Sequence, residues 1–322
     1  MSAEAVLKKD ANANTVDFTA PAALASGQII QLPDGRAGVV AGLVGFAAGE
    51  VATAMVSGQF TVAKTASVVG LDGDQAYWDR SANTATPLQA TAGADFKLGV
   101  FVGDAASADA DCVVDLNVSP KYVVSLRDGD AFTSAVVLTA GTPAVTPIVG
   151  GVKMTFSATA EAQKCDILSD KSIPVDVPFI VEGKAAIFDI GDDAALDINL
   201  GVANATHATD ADSITESCFL HLDGTALSIL AESDDGTTEV AATDTTVDAV
   251  DDTYFDFRID CRDLEDVKLY VNAVRVLSTS TFKLDAATGP LKLLAHIEKT
   301  SDNTTADVRV SHFAIRATDI AA

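Results

Sequence analysis

A chain of 322 residues is long enough for two ordinary domains, and a hydrophobic content of 48% excludes global disorder. The formal charge of −25 is uneven: residues 1–120 carry six Lys/Arg against 13 Asp/Glu, residues 121–322 carry 15 against 33, and no Lys or Arg occurs between Lys184 and Arg258. Such a surface repels nucleic acid, whose phosphates are held by Lys and Arg displacing counterions. It suits either dense display of soluble copies or simple solubility.

The first segment, 1–15, is polar. Lys8 and Lys9 are not followed by an apolar h-region, so no signal peptide is expected. The segment reads as a flexible arm that orders against a neighbouring subunit, or as a frayed terminus. From residue 16 to 118 short strands alternate with turns. Gln28–Ile30, Val39–Val44, Val51–Val56 and Gln59–Val62 are separated by glycines, and Leu98–Val102 and Cys112–Leu116 are the closing strands. This spacing predicts a small β-barrel-like domain. The longest apolar stretch, Ala37 to Ala48, is broken by Gly38, Gly42 and Gly45 and is too short to cross a bilayer, so no membrane partner is expected.

A boundary is expected near Ser119-Pro120, with 119–149 as linker and first strands and 150–322 as an antiparallel two-sheet sandwich. Phe255, Phe257, Ile259 and Cys261 alternate with Asp256, Arg258 and Asp260, and Val267, Leu269 and Val271 continue the pattern. Asp223-Gly224 and Asn272-Ala273 mark hairpin turns. Val308 and Val310 are out of phase with Phe313 and Ile315, which predicts a β-bulge near Ser311-His312. The fold class is all-β throughout. Cys112, Cys165, Cys218 and Cys261 are scattered without a CxxC pair, so buried thiols are expected, although Cys218 and Cys261 are also compatible with neighbouring strands.

Residues 16–118 resemble the phage head-decoration, or capsid cement, proteins. The resemblance is carried by Ser26-Gly27-Gln28, Gly58–Lys64, Gly73–Asp79 and Leu98–Ala106, in order and in register, with Ala63 where members often have Pro. It implies a β-barrel-like fold, homotrimers on the outer surface of a virion capsid, the major capsid protein as partner, and no catalysis. Residues 150–322 resemble the concanavalin or laminin-G jelly roll through Tyr254–Asp260 and Val267–Asn272, with Ala273 where that fold has Gly; this is a likeness of fold and leaves the turn type open. Contact with host-surface glycans, in the manner of an adhesin or receptor-binding component, is the alternative reading. The segments 201–215 and 233–252 carry no aromatic side chains, which counts against it.

No catalytic residues emerge. Asp256 and Asp260 share a strand face, but four residues at about 3.3 Å each place them about 13 Å apart, beyond the reach of paired carboxylates in glycoside hydrolysis. An exposed charge ladder is the expected role. The four histidines, His207, His221, His296 and His312, fit no metal or protease motif, and GxSxG and phosphate-loop motifs are absent. No cofactor or metal ligand set is expected. Asp72-Gly73-Asp74, Asp192-Asp193 and Asp234-Asp235-Gly236 offer oxygens to a structural calcium ion, or serve as turn caps. Phe60, Tyr77 and Trp78 are candidate interface residues, with a core role for Trp78, the sole Trp, as the competing reading.

Overall fold

The computed structural model describes residues 5–9, 14–89, 93–138, 141–188, 196–208, 210–223, 228–300 and 305–317. The chain divides into two compact units, Met1–Lys121 and Tyr122–Ala322. Among the described residues every strand ladder is antiparallel, and no helix is long and apolar enough to cross a membrane.

The first unit contains β1 (Ala5–Lys9), β2 (Thr15–Thr19), β3 (Ile29–Gln31), β4 (Ala37–Ala41), β5 (Val51–Met55), β6 (Gln59–Ala63), β7 (Gln75–Asp79), β8 (Thr84–Thr86), β9 (Phe96–Phe101) and β10 (Asp111–Leu116). They form a six-stranded sheet, β1-β6-β10-β9-β7-β8, and a four-stranded sheet, β2-β5-β4-β3. Alternation decides the packing. Phe60, Val62, Trp78, Leu98 and Val114 from the larger sheet meet Ile29, Ala37 and Val39 from the smaller in one core. A single parallel bridge, Lys64↔Ala85, curls the larger sheet towards β8, but neither sheet closes into a barrel. Within the segment expected as an arm, Ala5–Lys9 is a strand paired with β6, Ala5 opposite Val62; residues 1–4 and 10–13 lie outside the described residues.

The second unit is a two-sheet sandwich. Its strands are β11 (Val124–Ser125), β12 (Phe132–Leu138), β13 (Ala144–Ile148), β14 (Gly151–Thr155), β15 (Gln163–Ser169), β16 (Phe179–Phe188), β17 (Leu196–Ala203), β18 (Ser217–Asp223), β19 (Ser228–Asp234), β20 (Glu239–Asp248), β21 (Phe255–Cys261), β22 (Lys268–Val271), β23 (Val274–Arg275), β24 (Lys292–Lys299) and β25 (Asp307–Ala317). One sheet runs β13-β14-β25-β16-β21-β22-β23, with β11 added on β25; the other runs β12-β15-β24-β17-β18-β19-β20. Phe255, Phe257, Ile259 and Cys261 face Leu200, Val202, Cys218 and Leu220 in a shared core. All four cysteines are buried free thiols. Cys218 and Cys261 are not on neighbouring strands: β18 and β21 belong to different sheets.

The phase slip in the last strand is a bulge. Glu182 pairs with Ala314 but Lys184 pairs with Ser311, and His312 takes φ 52°. Val308, Val310, Phe313 and Ile315 all reach the core as a result. Asn272 and Ala273 have φ of 48° and 60°, the geometry of a type I′ turn with Ala in the position that favours Gly. The opposite face of β21 is not the exposed ladder expected from sequence. Arg258 and Asp260 are 7% and 4% exposed, because β21 lies between β16 and β22 rather than at an edge. Asp256 pairs with Lys184 and Asp260 with Arg262.

Beside the bulge, Glu182 gathers a buried polar cluster. Its carboxylate lies 2.8 Å from His312 Nε2 and accepts from Arg316 Nε at 3.3 Å, while the Tyr122 hydroxyl lies 3.2 Å from the same histidine nitrogen. Burial alone would raise the Glu182 carboxyl, but hydrogen bonding to His312 and the charge of Arg316 hold it far below the usual 4.5. A depressed folded-state value means that the contribution to stability is present above about pH 4.5 and is lost as pH falls towards the folded value. Glu182→Gln should therefore cost about 3 kcal/mol at neutral pH and flatten the acid limb of a pH–stability curve measured by denaturant titration. Next to it, a Cβ on Gly183 would stand 2.4 Å from the Phe257 ring. Gly183→Ala should lower stability by about 1–3 kcal/mol by the same assay.

Candidate functional site

Of the candidate interface residues, Phe60 and Trp78 are each 1% exposed and belong to the core of the first unit, which for Trp78 is the core role the sequence favoured, whereas Tyr77 is half-buried. The reason is the strand period: β6 and β7 each alternate buried and half-buried positions, and Phe60 and Trp78 fall on the inward phase. The exposed apolar side chains of this unit lie elsewhere. Leu43 and Val44 are fully or largely exposed in the loop after β4, and Val51 opens β5. On the face of the four-stranded sheet turned away from the main core, Val16, Phe18, Ile30 and Phe46 are half-buried around Val40, Ala52 and Ala54.

The acidic turns do not act alike. Asp72 accepts the Gly103 amide, Asp74 the Leu71 amide, Asp234 the Gly236 amide, and Asp235 the Thr237 and Thr238 amides. Asp74, Asp234 and Asp235 thus cap their own turns, whereas Asp72 ties its turn to the loop at Gly103. Asp192-Asp193 lies outside the described residues.

A denser concentration of chemistry lies on the non-core face of the seven-stranded sheet of the second unit. The register sets Asp166, His296, Asn199 and His221 side by side on four neighbouring strands, β15, β24, β17 and β18. All four are buried, because the segment after β17 folds over this face: Ala211 and Ile214 pack on Ala203, Phe219 and Leu294. Asp210 starts a short 3-10 turn at Ala211–Ser213 by accepting the Asp212 amide. Glu216 anchors the end of the segment, accepting from Asn204, Thr288 and Gly289.

Two histidine clusters result, with different electrostatics. Around His296, Lys164 Nζ lies 2.8 Å from Asp166 Oδ2, Thr206 bridges Lys164 and Asp166, and His296 Nε2 lies 2.9 Å from Glu298. Burial would raise the Asp166 carboxyl, but His296 and Lys164 lower it overall. Around His221 stand three carboxylates: Asp197 at 3.1 Å from Nε2, with Glu232 at 3.3 Å and Asp212 at 3.5 Å from Nδ1. Asn199 donates to both Asp212 and Glu232. Burial would lower the imidazole, but Asp197 and Glu232 overcome it and raise His221 to about 11. Burial raises Glu232 to about 7.

Sequence reasoning missed the His296 cluster because β15, β24 and β17 are not consecutive in the chain. It missed the His221 cluster because, even on the consecutive strands β17, β18 and β19, residue spacing alone does not give the register. The available signal was the polar Asp197-x-Asn199 phase inside an otherwise apolar strand. A cavity of about 500 Å³ elsewhere in the unit, lined by Lys153, Phe188 and Asp307 among others, is crossed by the Lys153–Asp307 ion pair at 2.6 Å.

Asp166→Ala would leave Lys164 and His296 buried without their shared counter-charge. It should destabilise the protein by about 3 kcal/mol in urea denaturation.

Residues 10–116 match the family of phage cement proteins. No curated protein matches the chain. Solved structures similar to it include the potassium-bound carbohydrate recognition domain of Emp46p (TM-score 0.41, 11% identity, 59% of this chain and 89% of that one). Others are the carbohydrate binding module CBM66 from Bacillus subtilis (0.37, 11%, 58% and 96%) and the alginate lyase AlyC3 in complex with dimannuronate (0.39, 10%, 53% and 75%). The segment 10–116 of this chain thus carries the sequence pattern of phage cement proteins.

Proposed function

We propose that this chain is a structural phage virion protein that binds the outer surface of a capsid as a homotrimer and stabilises the head. The observation that carries this reading is the phage cement match over residues 10–116, which falls inside the compact unit Met1–Lys121. A protein that binds only the assembled shell raises the shell's stability by linkage, whatever its own chemistry. The contact face best suited to this is the outer side of the four-stranded sheet, with Leu43 and Val44 at its rim, since exposed apolar groups of this kind mark association surfaces. The second unit carries most of the negative charge, and like charges of this kind keep densely displayed copies apart.

The test is co-sedimentation with undecorated phage heads, together with the solution mass. Saturable binding of a trimer, with heads gaining resistance to heat, is the expected result, and Leu43→Asp with Val44→Asp should weaken binding at least about tenfold. A monomer that ignores heads and is retained on a glycan array would overturn the reading in favour of glycan binding.

A further inference from the structure

We propose that His221, Asp212 and Asp197 bind one divalent transition-metal ion on the non-core face of the seven-stranded sheet. His221, Asp212 and Asp197 each offer a ligand atom within 4.8 Å of the other two. The separation of Asp212 from the imidazole Nδ1, 3.5 Å, is that of neighbouring ligands around an ion with bonds of about 2.1 Å.

Charge points the same way. Three carboxylates face one imidazole, and among the described residues none of the three is paired with a Lys or Arg. They all fall in the stretch between Lys184 and Arg258 that has no such residue. The Asp166 cluster on the same face is different, because Lys164 supplies the missing cation there.

His221 Nε2 and Asp197 Oδ1 face each other at 3.1 Å, and neither has another hydrogen-bond partner among the described residues. The His221 side chain is 8% exposed and Asn199 is fully buried. An ion would take the place of the His221–Asp197 contact, and the Asn199 amide, which donates to Asp212 and to Glu232, fixes the Asp212 carboxylate beside it. The imidazole selects the class of ion. Calcium and magnesium take oxygen ligands, whereas a nitrogen with carboxylates suits manganese or zinc. Asp212, with 37% of its side chain exposed, leaves an entry path from solvent.

The test uses the full chain stripped with chelator and titrated calorimetrically with Mn²⁺, Zn²⁺ and Ca²⁺. We expect one Mn²⁺ or Zn²⁺ per chain, Ca²⁺ at least about tenfold weaker, and a rise in Tm on loading. His221→Gln should weaken binding at least about tenfold, and Asp212→Asn, at a half-open position that leaves the fold intact, should do the same; His207→Gln should not. Absence of stoichiometric binding, Ca²⁺ binding as tight as Zn²⁺, or binding indifferent to both variants would overturn the proposal. The measurement requires no phage heads, so it stands apart from the capsid assay.

Discussion

A polar side chain on a strand can choose its face but not its neighbours. In the second unit this constraint governs the layout, because the middle of the seven-stranded sheet is buried on both faces and the polar groups there depend on neighbours within the sheet and the segment over it. Register sets the row Asp166, His296, Asn199 and His221 side by side, so that its members find most of their partners along the row and in Lys164, Glu298, Asp212 and Glu232 around it. Moving one strand by a single residue would send the row into the hydrocarbon core and the core residues outwards, so the row and the core specify each other. The Asn204–Glu216 segment then seals the row, and Glu216 pins the seal.

The same logic explains the other buried cluster. Glu182 sits where the ladder between β16 and β25 slips by one residue, and the slip brings His312 and Arg316 onto one carboxylate. Gly183 is needed there because the Phe257 ring fills the space of a side chain. A bulge that looks like a local irregularity is thus what lets two apolar phases and one ionic cluster share a strand.

Much of this architecture was legible in the chain. The alternation of Phe255, Phe257, Ile259 and Cys261 named a core face, and the phase change between Val310 and Phe313 located the bulge, since both follow from the two-residue period alone. What periodicity could not supply was strand order. The exposed ladder expected on β21 failed because exposure depends on which strands flank it, and Cys218 and Cys261 proved to be on different sheets for the same reason. Phe60 shows the converse: its alternating strand placed it inside although aromatic chemistry suggested an interface, and Trp78 took the core role that the sequence favoured. The His296 cluster was illegible because β15, β24 and β17 become neighbours only in the folded sheet, and the His221 cluster because the register between the consecutive strands β17, β18 and β19 is not written in their spacing.

The four thiols have a consequence for where such a chain keeps its shape. Cys112, Cys165, Cys218 and Cys261 are all buried and unpaired, and burial pushes Cys112 and Cys165 up to about 12, so almost no thiolate exists at neutral pH. Thiol exchange and oxidation both begin from the thiolate. A fold held by sheets rather than by sulfur bridges, with its thiols silenced by hydrocarbon, is indifferent to redox potential. It keeps the same covalent form in a reducing cell and in oxidising surroundings.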